Sequence, residues 1–165
     1  MSNANTDERP SFTTAPTEHT SFEELGLSEA TLRAVRDAGY TSPTPVQSGA
    51  VPHALLGGDL CVQSQTGTGK TAAFSMPLIE QISKAIKAKG RTGVSALILA
   101  PTRELAHQVA QELTRLSEHH TLSVCTVYGG TPFDPQVTAI SQADLVVGTP
   151  GRVVDHLKRR TLNLN

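Results

Sequence analysis

The stretch Ser64-Gln65-Thr66-Gly67-Thr68-Gly69-Lys70-Thr71 lies between a short apolar run, Leu60 to Gln63, and a long helical pattern running from Lys70 to about Lys89. Apart from Ser64 in first place, it fills the pattern GxxxxGK[ST], and it stands where such a loop works, after a strand and at the start of a helix. Each residue type has a physical task there. Gly67 and Gly69 let the backbone turn so that N–H groups from Ser64 to Thr71 face one anion, and the helix start adds partial positive charge. Lys70 offers a cation to the outer phosphates, and the Thr71 hydroxyl suits a magnesium ion. The competing reading is a glycine-rich turn with a surface lysine, which leaves the GTGKT order unexplained.

Outward from this loop, apolar runs alternate with helical stretches. Leu60–Gln63 precedes the helix from Lys70, and Ala96–Ala100 precedes one at Glu104–Glu118. Leu122–Val127 precedes one at Pro135–Ser141, and Leu145–Val147 precedes one beginning near Arg152. Four strand–helix units in a row predict an α/β fold with a parallel, doubly wound sheet and helices on both faces. Pro77 lies inside the first crossover helix and is expected to kink it, because it removes a backbone donor. A length of 165 residues with 38% in the hydrophobic set accommodates one core and no second domain of equal size.

In front of these units, Ser28 is placed to cap a helix that runs to Asp37, with Leu27 stapled onto Leu32 and Gly39 as the stop. A second helix begins near Pro45 and ends at Gly57-Gly58. Residues 1–20 have almost nothing to bury and read as a flexible arm. Fourteen Lys and Arg against fifteen Asp and Glu leave a net charge of −1, so contact with a polyanion has to be local. Cys61 and Cys125 fall in apolar stretches without metal-ligand spacing and read as small core residues of a reduced, cytoplasmic chain. The start of the chain lacks the pattern of a signal peptide, and no segment approaches a membrane span of about 20 apolar residues.

Four further motifs accompany the loop: Gly39-Tyr-Thr-Ser-Pro-Thr-Pro-Val-Gln47, Pro101-Thr-Arg-Glu-Leu-Ala106, Gly129-Gly130, and Thr149-Pro-Gly-Arg152. In this order, over about residues 21–160, they resemble the motifs of DEAD-box ATP-dependent RNA helicases, where the phosphate loop usually starts with Ala. The motifs after the second, third and fourth expected strands fall at the carboxyl ends of those strands, where open parallel sheets bind ligands.

The resemblance implies a RecA-like ATP-binding domain over residues 21–165, preceded by the arm at 1–20 and including a Q motif at about 21–48. Gln47 is then expected to read adenine, since an amide pairs with adenine N6 and N7 together. Phe22, with Tyr40 beside it, is the aromatic candidate for stacking on the base, against the alternative that both are core. The cofactors implied are ATP and Mg²⁺, held by Ser64, Gln65, Thr66, Gly67, Thr68, Gly69, Lys70 and Thr71. The partner implied is RNA, gripped through its backbone by Pro101, Thr102, Arg103, Gly129, Gly130, Thr149, Pro150, Gly151 and Arg152. Glu104 is expected to support its loop, whereas His119, His120, Lys158, Arg159 and Arg160 read as solvated surface.

Hydrolysis also requires an acidic magnesium ligand and a residue that positions water. Asp59 and Asp144 precede their strands and lie at the wrong end of the sheet for this. The family's Asp-Glu-Ala-Asp motif and its second RecA-like domain would follow Arg160, so the sequence reads as the front part of a longer helicase, inactive by itself. Two other readings stay open: a non-catalytic fragment that binds adenine nucleotide and RNA, and a different P-loop motor.

Overall fold

The computed structural model describes residues 19–164, so most of the expected arm lies outside the described residues. The chain enters through a single 3-10 turn at Phe22–Leu25 and helix α1, Glu29–Asp37. Ser28 caps α1 by accepting the Thr31 N–H, and Gly39 leaves the helix at a φ of +79°. Helix α2, Pro45–Leu56, opens with a reciprocal capping box, in which Thr44 Oγ1 accepts from Gln47 N while Gln47 Oε1 accepts from Thr44 N. Helix α3, Lys70–Lys89, carries Pro77 in its interior without ending there.

Strand β1, Ala96–Leu99, leads into α4, Arg103–Leu116; β2, Val124–Val127, leads into α5, Asp134–Ser141; β3, Leu145–Gly148, leads into α6, Pro150–Lys158. The three strands form one parallel sheet in the order β1-β3-β2, with Leu145 opposite both Ala96 and Val124. Period-2 alternation divides each strand between two cores. Leu145, Val147, Ala96, Ile98 and Val124 face a core built with α1–α4, which includes Val51, Ile79, Leu113 and Leu116. Val146, Leu97, Cys125 and Val127 face a second core with Ile140, Val153 and Leu162. The result is helix, sheet and helix in three layers, as the strand–helix alternation predicts.

Asp144 ties the amino ends of the strands together. Its carboxylate accepts from Ser123 N at 2.8 Å and Ser123 Oγ at 3.0 Å, its carbonyl accepts from Ser95 N at 2.7 Å, and Arg91 lies 3.4 Å away. It is buried structure at the rim opposite the motif loops, as its place before the strand implied.

Two expectations need correction. The strand at Leu60–Gln63 does not form: residues 59–65 belong to no regular element, with Leu60 48% and Val62 43% exposed. A strand exists only through a partner's N–H and C=O groups, and neither β1 nor β2 pairs with this segment. For the same reason Cys61 is exposed and is not a core residue. Cys125 is partly buried, and burial pushes its thiol up to about 11.

Candidate nucleotide and nucleic-acid site

The loop before α3 has the conformation its composition predicts. Gly67 and Gly69 stand at φ +78° and +88°, in the left-handed region that other residues avoid. Ser64 Oγ and Thr68 Oγ1 are 2.7 Å apart, and Thr68 donates to the Gln65 carbonyl at 2.9 Å, which draws the loop into a closed turn. Lys70 bends back over this turn and donates to the carbonyls of Ser64, at 2.7 Å, and Gln65. No side chain caps α3, so its first-turn N–H groups face the loop without an internal acceptor. Thr66 is exposed, and Thr71 sits half-buried on the first turn of α3. This donor set, an uncapped helix start with an ammonium and a hydroxyl, suits the terminal phosphates of a nucleotide with a magnesium ion.

Gln47 is fully buried. Besides its place in the capping box, its Nε2 donates to the Gly69 carbonyl at 3.3 Å, which fastens α2 to the phosphate loop. Gly69 has no room for a side chain, since a Cβ there would stand 2.5 Å from Gln47 Nε2. Phe22 is 4% exposed and meets Tyr40 edge-on at 6.1 Å, so the two rings pack against each other beside the first core. Tyr40 is half-buried, donates to Glu112 Oε1 at 2.6 Å and lies under Arg115.

The other motifs gather at the carboxyl ends of the strands. Pro101 and Thr102 follow β1, and Thr102 caps α4 by accepting from Leu105 N at 3.2 Å. Arg103 lies 4.5 Å over the ring of Tyr128, which follows β2 and precedes the exposed Gly129 and Gly130. Thr149, Pro150 and Gly151 turn the chain from β3 into α6. Arg152 reaches across to donate through both Nη atoms to the Thr131 carbonyl, each at 3.1 Å. Three loops from three adjacent strands thus present hydroxyls, two guanidinium groups, exposed glycines and the starts of α4 and α6 on one rim, which is chemistry suited to phosphate and sugar.

Comparison with known proteins agrees with this arrangement. The profile of the DEAD/DEAH box helicase family matches residues 44–165. The chain belongs to that family. It is 42% identical over 146 residues to the DEAD-box ATP-dependent RNA helicase CshA of Bacillus cereus, across 88% of this chain and 27% of that protein. Among solved structures it is similar to a DEAD box protein of the hyperthermophile Methanococcus jannaschii, with a TM-score of 0.82 and 43% identity, covering 89% of this chain and 39% of that one. It also resembles a hypothetical ATP-dependent RNA helicase of Sulfolobus tokodaii, with a TM-score of 0.74 and 34% identity over 84% of this chain and 38% of that one. The chain therefore spans about a quarter of the curated relative it matches. Its sheet is that of a RecA-like helicase domain.

Several side chains of this family member have roles that the sequence reading did not find. His107 on α4 meets the Tyr128 hydroxyl at 3.0 Å, so α4 grips Tyr128 through both Arg103 and His107. Their spacing of four residues on one helix was a readable signal, but Tyr128 as their common partner was not. His119 and His120 are not solvated surface. His119 pairs with Asp37, while His120 lies between Thr31 Oγ1 at 2.9 Å and Ser83 Oγ at 2.8 Å. Thr31 and Ser28 in turn donate to Glu80, linking α1, α3 and the turn after α4. Burial and nearby Lys87 and His119 hold His120 below its ordinary value, against the pull of Glu80. Burial raises the Glu80 carboxyl, but the hydrogen bonds from Ser28 and Thr31 prevail and hold it below the usual range.

Of the basic run, Arg159 packs over Phe133 at 4.4 Å, and Lys158 and Arg160 are exposed. Glu104 also departs from expectation: it is exposed on the first turn of α4 and makes no hydrogen bond or ion pair among the described residues. Capping by Thr102 supports that loop instead.

Proposed function

We propose that this chain is the nucleotide-binding part, and one half of the RNA-binding surface, of an ATP-dependent RNA helicase. The carrying observation is the uncapped start of α3 behind a closed glycine loop that holds Lys70. ATP with Mg²⁺ supplies the phosphoanhydride and the charge that closure of the protein around RNA requires. Lys70, now on the Ser64 and Gln65 carbonyls, would turn to the nucleotide's outer phosphates, with the α3 N–H groups and the Thr71 hydroxyl as the residues that would hold the phosphate oxygens and the metal. The rim of Thr102, Arg103, Gly129, Gly130, Thr149, Gly151 and Arg152 grips an RNA backbone with little sequence preference.

Gln47 is proposed to select adenine. Its Nε2 keeps a second hydrogen beyond the one given to Gly69, and its Oε1 keeps a second lone pair beyond the Thr44 contact, the complement of adenine N7 and N6. Since Gln47 is fully covered, this recognition needs local opening around the start of α2.

Turnover is proposed for a longer protein, of which this chain would be a part as it matches 27% of its curated relative, and which would act in the cytoplasm. There a second RecA-like domain and an acidic motif supply what hydrolysis lacks here. The isolated chain binds without turnover. No helix among the described residues is long and apolar enough to cross a membrane.

The test measures binding of a fluorescent adenine nucleotide with Mg²⁺, and of a labelled single-stranded RNA, to the chain and to its Lys70→Ala and Arg152→Ala variants. Loss of nucleotide in the first and of RNA in the second supports the reading; equal binding by all three refutes it.

A further inference from the structure

Gly129 and Gly130 belong to no regular element, and nothing stands within 4 Å of where a Cβ of either would be. A turn this open has to be shaped from behind, and the buried side chain of Gln136 on α5 does so. Its Nε2 lies 3.1 Å from the Tyr128 carbonyl, 2.7 Å from Thr131 Oγ1 and 3.3 Å from the Pro132 carbonyl. Its Oε1 accepts from Tyr128 N at 3.2 Å. One amide therefore holds residues on both sides of the glycine pair.

Gln136 is itself held. His156 of α6 is fully buried, stacked on Phe133 at 4.2 Å, and directs Nε2 at Gln136 Oε1 from 3.4 Å and Nδ1 at Thr161 Oγ1 from 2.8 Å. The Tyr128 N–H, which can only donate, fixes Oε1 as the amide atom on that side, and because an amide oxygen only accepts, the proton facing it from His156 is on Nε2. Arg152 grips the same turn at the Thr131 carbonyl.

We infer that Gln136 is a positioning residue for the nucleic-acid rim, shaping the 128–132 turn so that Gly129 and Gly130 meet an RNA phosphate backbone, with His156 holding the Gln136 amide. This rests on the proposed RNA-binding reading of the rim. Gln136 touches no ligand; it acts through a network whose members support one another. Its side chain is buried and its hydrogen bonds run to residues 128–132 and His156, none to the phosphate loop, so nucleotide binding is expected not to depend on it.

The experiment uses the whole chain with Gln136→Leu, which removes every contact, Gln136→Glu, which keeps the acceptor and removes the donors, and Thr131→Val, which removes one partner without disturbing a core. Hydrogen exchange of residues 128–132, single-stranded RNA affinity and adenine-nucleotide affinity are measured on each. The inference expects faster exchange at 128–132 and RNA binding weakened about tenfold in Gln136→Glu, a loss of about 1.4 kcal/mol, with nucleotide affinity within about twofold. If Gln136→Leu does not fold, Gln136→Glu and Thr131→Val decide.

Unchanged exchange at 128–132 in folded variants overturns the inference. So does a loosened turn with undiminished RNA affinity, and in that case loss of RNA by Arg152→Ala leaves the proposed function standing. If Arg103→Ala and Arg152→Ala bind RNA as the parent chain does, or the parent chain does not bind it, the proposed function and this inference both fall.

Discussion

At Gly148 the chain passes from β3 toward α6 with side chains packed against its backbone on two sides. A Cβ there would stand 2.5 Å from Val153 Cγ2 and 2.6 Å from Val127 Cγ2, and the Val127 carbonyl is 3.0 Å away. Gly148→Ala is therefore expected to overpack the second core and cost about 1–3 kcal/mol, seen as a lowered midpoint in thermal or urea unfolding. An unchanged midpoint would show that β3 and α6 separate more easily than their packing implies. Tyr40 yields a second prediction at this scale. Burial, reinforced by Glu112, pushes its hydroxyl up to about 12. With Tyr128→Phe leaving one tyrosine, ultraviolet titration of the phenolate should show a midpoint near 12, and a midpoint near 10 would sink the idea. Since the folded value is raised, this contribution to stability is present below pH 10 and lost as pH rises through 12.

Among the elements, helix ends were more legible than strands. Ser28 caps α1 and Gly39 and Gly57 mark exits where the sequence placed them, because capping depends on residues within one turn of the helix, and Thr44 and Thr102 cap their helices in the same local way. Thr44→Ala removes half of a capping box and the brace on Gln47 together. It should cost about 1 kcal/mol in unfolding experiments and leave the denaturant slope unchanged. The segment Leu60–Gln63 shows the limit of local reading. Its pattern is that of a buried parallel strand, but pairing is supplied by neighbours, and no described strand lies beside it. Leu56, Leu99 and Phe74 are likewise exposed.

Across the whole molecule, the buried His156 and the partly buried His120 set the response to acid. Burial, with Arg152 next, holds His156 below its ordinary value, and burial holds His120 below it as well. Both folded values lie below 6.5, so the unfolded chain takes up protons first as pH falls. Their contribution is present above pH 6.5 and is lost as pH falls through the folded values. Glu80 acts in the same direction lower down, with stability present above its ordinary 4.5 and lost as pH falls through its depressed folded value. Melting temperature should thus fall steadily below pH 6.5, and His120→Asn should flatten part of that slope. An acid slope identical in the variant would remove His120 from the account.

The chain's own residues determined the family, the three-layer order, the phosphate loop and the membership of the rim, because glycine conformations, helix caps and strand–helix alternation are local properties. Tertiary structure alone decided the partners of buried polar groups. Gln136 and His156 lie twenty positions apart and meet only because α5 and α6 cover one face of the sheet. Gln47 turns onto Gly69, and Phe22 into the first core, because α2 and the 3-10 turn pack where α3 begins. Local pattern places caps and turns, but whether a side chain is buried and which group satisfies it depend on contacts between residues distant in the chain, as Cys61 and His120 show.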